Sequence, residues 1–191
     1  MRALYKYYLV GLVAVLVIVF LAGCTVNDTK DEDSVFYAVP VGSVLVLNQQ
    51  VDIRGDQVAV YLQNGELMQY REVNFYMPNC KFEIYTMSEQ ARTVSQDRFE
   101  IVKVVDDIES SALQKSTRLA ALDDAVTYGL LDKSYVFNYA TLMYLQSEQQ
   151  KDVYRMTCQH WEDVMDDRHL SVTQMRQAMG DVFKLEIKDD E

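Results

Sequence analysis

Residues 79–85 read NCKFEIY and residues 153–161 read VYRMTCQHW, and the alternation within these two stretches decides the fold. In the first, Cys80, Phe82 and Ile84 fall on one side of an extended chain while Asn79, Lys81, Glu83 and Tyr85 fall on the other. That period of two marks a strand with one face toward a core. By the same rule Tyr154, Met156, Cys158 and His160 share a side in the second stretch. Each cysteine thus points inward among apolar neighbours on its own strand, as an inter-strand or inter-sheet disulfide would need.

Outward from these two stretches the chain keeps the same texture. From Phe36 on, short runs rich in Val, Ile, Tyr and Phe are broken by turn residues, a pattern of β-structure. Strands are predicted over residues 43–48 and 57–63, the latter with Val58, Val60 and Leu62 on one face. Asn64 and Gly65 follow, the pair whose positive backbone angles suit a tight hairpin. A returning strand over 67–75, a further strand over 99–105, and two strands over 135–146 and 153–161 joined through the polar segment 147–152 complete the sheet. Residues 118–128 carry Leu119, Leu122 and Val126 at helical spacing, compatible with a short helix or a loop. Near the C-terminus, Ser171 with Gln174 forms a capping box, Leu170 and Met175 a hydrophobic staple, and Gly180 a stop. Val172, Met175 and Met179 give that helix one apolar face, and residues 182–187 form a last strand. The expected fold is mainly β, an antiparallel sandwich or partly open barrel with one short C-terminal helix and one disulfide. An α+β arrangement is the alternative if residues 118–128 are helical.

The N-terminus has a different character. Arg2 and Lys6 precede an apolar run from Tyr7 to Gly23 that no charge interrupts, the n-region and h-region of an export signal. Uncharged residues continue to Asn27, so length alone also permits an uncleaved anchor helix. Leu21, Ala22, Gly23 and Cys24 end the run and resemble the lipobox of bacterial lipoproteins. That resemblance implies cleavage after Gly23 and transfer of a diacylglyceryl group to the Cys24 thiol, with a further acyl chain on the new N-terminus. With about 0.8 kcal/mol per buried methylene, two or three chains exceed what stable anchoring requires. Residue 25 is Thr rather than the Asp that retains many such proteins in the inner membrane, so the resemblance favours the outer membrane, periplasmic face, over the inner membrane. Residues 1–23 are then a signal peptide, 24–34 a lipidated end and an acidic tether, 35–188 a single periplasmic domain, and 189–191 a frayed tail.

Charge and cysteine count narrow the partners. The chain has 191 residues and a formal charge of −11; losing Arg2 and Lys6 with the signal leaves about −13 (−11 minus 2). An acidic protein gains no counterion release on nucleic acid, which excludes that class of partner. With Cys24 committed to lipid, Cys80 and Cys158 remain of the three cysteines, and an oxidising compartment pairs them. The tether sequence TVNDTKDEDS, residues 25–34, is too polar to pack, and ten such residues span roughly 17 Å.

Few residues carry chemistry. The only histidines are His160 and His169, so an enzyme would need a cleft at one of them with a carboxylate or nucleophile within reach. Met156, Cys158, His160, Met165 and His169 form a conceivable copper set, but a thiolate ligand requires Cys158 to stay reduced. No nucleophile elbow, zinc-protease, phosphate-loop or dinucleotide pattern occurs, and the acidic groups lack calcium-loop spacing. No cofactor is therefore expected. Trp161 faces away from Cys158 along its strand and, among thirteen tyrosines, suggests an aromatic patch for a partner or a glycan.

VPVGSVLVLNQ, VAVYLQNGEL, MPNCKFEI, RMTCQHW and HLSVTQMRQAMG together resemble an uncharacterised family of proteobacterial envelope proteins, over most of the mature chain. The resemblance brings no activity and no catalytic residues with it. The expected function is a non-enzymatic lipoprotein held to the bilayer through acylated Cys24, which binds or scaffolds another envelope protein. A periplasmic enzyme and a copper protein are the alternatives.

Overall fold

A computed structural model describes residues 31–113, 134–162 and 168–188. Its elements in chain order are β1 (Val44–Leu47), β2 (Val51–Ile53), β3 (Ala59–Gln63), β4 (Glu66–Met68), a 3-10 turn (Tyr70–Glu72), β5 (Asn79–Ile84), β6 (Arg92–Val94), β7 (Asp97–Leu113), β8 (Ser134–Gln146), β9 (Val153–Glu162), α1 (Val172–Met179) and β10 (Phe183–Glu186). Eight strands make one antiparallel sheet in the order β10-β1-β7-β8-β9-β5-β3-β4, bent into a half-barrel, and β2 pairs with β6 in a separate two-stranded ribbon. Of the two architectures the sequence left open, the structure adopts the partly open barrel.

The inner face of the half-barrel is apolar because the strands alternate. Leu45, Leu47, Leu62, Phe82, Phe99, Ile101, Met143 and Met156 are all at most 1% exposed. The rings of Phe82, Phe99 and Phe183 meet across this core. Helix α1 fills the open side, packing on β3, β5 and β10 with Val172, Met175, Ala178 and Met179 turned inward. Its start is as predicted: Ser171 Oγ accepts from the Gln174 N–H, and the Gln174 side chain accepts from the Ser171 N–H. Its end abuts the β3–β4 hairpin, where the Gly65 N–H donates to the Ala178 carbonyl at 3.0 Å. Gly65 and Gly180 have φ of +80° and +53° and touch backbone to backbone, leaving no room for a Cβ on Gly180. Asn64 (φ +53°) and Gly65 form the positive-φ hairpin the sequence predicts.

Cys80 and Cys158 lie directly opposite each other on β5 and β9, Cα atoms 4.0 Å apart, fully buried and joined by a disulfide. This close approach belongs to a non-hydrogen-bonded cross-strand pair, in which the side chains stand nearest.

Four local readings change. The predicted strand over 67–75 stops at Met68, because Glu72 folds back to accept from the Gln69 N–H and closes the 3-10 turn. Tyr154 leaves the face it was assigned with Met156: a bulge at β5–β9 pairs Glu83 with Arg155 but Ile84 with Val153, and Tyr154 packs at a tilt against the exposed Tyr85 instead. The strand predicted over 99–105 extends as β7 to Leu113. Residues 31–34, assigned to the flexible tether, dock on α1: the Glu32 carbonyl and the Asp33 carboxylate receive the Thr173 N–H and hydroxyl, and Arg176 pairs with the Glu32 carboxylate. The Asp33 carboxylate suits the start of the helix, where its first N–H groups and positive dipole end lie, while the Glu32 carboxylate is held by Arg176 further along it. The possible helix at 118–128 and the ends at 1–30 and 189–191 lie outside the described residues.

Candidate functional site

Two clusters gather the residues the sequence singles out, one on each face of the sheet. On the inner face, β8 and β9 place Tyr139 opposite His160, and the segment entering α1 brings His169 to the same ring. Tyr139 is fully buried, stacked against His160 at 5.8 Å and met edge-on by His169 at 5.7 Å. His160 Nε2 lies 3.4 Å from Glu162 Oε1, while its buried Nδ1 has no hydrogen-bond partner among the described residues. Burial pushes the His160 imidazolium pKa down; Glu162 opposes this, and nearby His169 and Arg168 add to it. The net direction is downward, so the neutral imidazole is favoured.

Beside His169 a cavity of about 280 Å³ opens between Tyr37, Val39, Asp106, Thr141 and Leu170. The Thr141 hydroxyl donates to Asp106 Oδ1 at 2.7 Å, and His169 Nδ1 sits 3.8 Å from that same oxygen. Hydroxyl and imidazole both face the carboxylate rather than each other. A hydroxyl spent on Asp106 is not placed to lose its proton to His169, as a hydroxyl–imidazole dyad would require. The copper set is not assembled either, since Cys158 is bonded to Cys80 and Met156 is fully buried in the core. Met165 lies outside the described residues, among which no group of three or more His, Cys, Asp and Glu side chains comes together to hold a metal.

The outer face carries the second cluster. Gln63, only 4% exposed, donates to the Asn74 carbonyl at 2.8 Å and accepts from its N–H at 3.1 Å, folding residues 74–78 over the sheet. The Trp161 N–H then donates to the Phe75 carbonyl at 2.7 Å. The two rings stack at 4.8 Å, Tyr76 meets Trp161 edge-on, and Tyr70 and Tyr61 extend the group. Tyr70 and Tyr76 are 60% and 47% exposed, so this is a ledge rather than a core.

Next to the ledge, Asn138, Gln159 and Asn79 link amide to amide, and beyond them Lys81 and Arg155 both pair with Glu83. Burial pushes the Glu83 carboxyl up, but hydrogen bonds and charge from Arg155 and Lys81 outweigh it and hold the group below its usual value. Burial, with Tyr70 and Glu83 nearby, raises the Tyr61 phenol.

Of the predicted residues, the structure joins Cys80 to Cys158, sets His160 and His169 around one tyrosine, and gives Trp161 a stacked partner. Tyr61, Tyr70, Phe75 and Tyr76 escaped the sequence reading. They come from separate segments whose only shared signal is aromatic content. Cys24 lies outside the described residues. No known protein family, curated protein or solved structure matches the chain.

Proposed function

We propose that this chain is an envelope lipoprotein with a binding or scaffolding role, exported by residues 1–23 and held to the outer membrane, periplasmic face, through acylated Cys24. One observation carries the address: Leu21 to Cys24 closes an uncharged apolar run that follows two basic residues. The pairing of the two other cysteines in a buried disulfide supports it, because that bond persists in an oxidising compartment. For the binding role the support is the ledge of Tyr70, Phe75, Tyr76 and Trp161, aromatic side chains held against one another with Tyr70 and Tyr76 exposed and Phe75 and Trp161 half-buried.

The address is tested by metabolic labelling with a fatty-acid analogue. Label enters the wild type and not Cys24→Ser, which accumulates as uncleaved precursor; equal labelling of both refutes the anchor. The binding role is tested in intact cells with a photoreactive side chain at Tyr76. A discrete adduct forms and is lost in Trp161→Ala. An adduct pattern indifferent to Trp161 refutes the ledge as a binding face.

A further inference from the structure

The longest strand of the sheet is finished on one side only. β7 pairs with β8 from Glu100↔Gln146 to Leu113↔Ser134, but with β1 only over Asp97–Glu100. The last bonds on the β1 side are those of Ile101, whose N–H donates to the Ser43 carbonyl and whose carbonyl accepts from the Gly42 N–H. Beyond them, among the described residues, no strand pairs with that edge. The register fixes which groups are left over. Ile101 turns its backbone away from β8, the bulge at Val102 adds one residue, and alternation then turns Val104, Asp106 and Ile108 the same way. These residues present N–H and C=O groups in a row, which is a template for another strand.

We infer that the free edge of β7 from Val102 to Ser110 binds, by strand addition, an extended segment of a partner protein that carries basic side chains at alternate positions. Charge selects the occupant. Asp107 and Glu109 project from the outer face of this edge, exposed and with no ion pair among the described residues, and Asp106 lies on the inner face. Lys103, the one base on the edge, is held over the Tyr144 ring. A second copy of the chain pairing edge to edge would set acidic side chains against acidic ones, which is unfavourable in directly opposed pairs. A basic strand gains there instead, with backbone hydrogen bonds supplying affinity and alternate side chains specificity. Val102 and Ile108, 41% and 39% exposed, offer apolar contact on the same edge. This inference deepens the binding role proposed above by naming the chemistry of the partner, but it depends on neither Cys24 acylation nor the Trp161 ledge.

The test uses the full chain in detergent and two fluorescent peptides, one alternating Lys with Val, the other Glu with Val. The Lys–Val peptide raises anisotropy on binding and slows amide exchange at Val104, Asp106 and Ile108; the Glu–Val peptide does neither. Asp107→Lys combined with Glu109→Lys changes only exposed side chains and weakens Lys–Val binding by about tenfold, two opposed charge pairs having become two repulsive ones. Ile108→Pro keeps every acidic charge but removes a free-edge N–H without touching a bond to β8, and it also weakens binding. Binding that survives Ile108→Pro unchanged is charge attraction without strand pairing and overturns the inference. So does equal binding of the two peptides, or an absence of protection on β7.

Discussion

The stretch around Cys80 and Cys158 and the stretch of β7 beyond Glu100 belong to one sheet, yet they are built to opposite rules. Around the disulfide every strand has a neighbour on both sides, the inner face is sealed by α1, and the outer face holds the Glu83 network. Along Val102 to Ser110 no strand among the described residues pairs with the second edge, the side chains are exposed or half-buried, and Asp107 and Glu109 make no ion pair among the described residues. The difference separates two tasks. The closed region supplies the stability that lets the open one remain unpaired, and an unpaired edge is retained at the risk of aggregation unless something uses it.

If that division is right, substitutions should hurt in proportion to their distance from the free edge. The largest effect belongs to the disulfide. A bond between residues 78 apart in sequence, closing its loop, contributes roughly 4 to 5 kcal/mol by loop-closure entropy. Cys80→Ser and Cys158→Ser should each lower Tm and yield, and by similar amounts, because each breaks the same bond. The native protein should show no reactive thiol at either position; two free thiols there would reopen the copper alternative at Cys158 and His160.

Next comes Gly180→Ala. The added Cβ meets the Gly65 backbone at a positive φ, two penalties that neither partner can relieve by turning a side chain, and a loss of about 1 to 3 kcal/mol in denaturant unfolding is expected. Gly65→Ala should cost less, since its Cβ would stand 3.2 Å from Gly180 Cα. Ser171→Ala removes the acceptor for the Gln174 N–H and should cost about 0.5 to 2 kcal/mol. A Tm unchanged by that substitution would mean that the docked Glu32 and Asp33, rather than the cap, fix the start of α1. On the open edge, Glu109→Lys should shift stability by no more than about 0.5 kcal/mol either way.

A pH series sharpens the same contrast. Because the folded-state pKa of His160 is depressed, its contribution to stability is complete above the unfolded value, near 6.5. It is lost as pH falls from there through the lower folded value. Glu83 acts in the same direction at lower pH, since its folded value also lies below its ordinary one. His160→Gln should flatten the first of these slopes, measured as Tm against pH, and leave the second.

What could be read from the sequence follows the same boundary. The strands around the cysteines, the Asn64–Gly65 turn and the Ser171 cap were legible because each is written in a local pattern, whether a period of two, a dipeptide or a capping box. Tyr154 was misplaced because one bulge residue inverts the parity of everything before it. β2 and β6, three residues each, are too short to show a period at all. The docking of Glu32 on Arg176, the meeting of His160 with His169 and the stacking of Phe75 on Trp161 join residues far apart in sequence, and only the fold brings them together. The open edge of β7 was equally hidden. A strand's sequence shows which faces it buries but not whether a neighbour lies beside it.

Amide hydrogen exchange on the full chain, resolved residue by residue and with no ligand added, tests that division most directly. Val104, Asp106 and Ile108 should exchange rapidly while their neighbours Lys103, Val105 and Asp107, bonded to β8, exchange slowly, and β5 and β9 around the disulfide should exchange only on global unfolding. Uniform protection along β7 would contradict it, because it would mean that the edge is already covered.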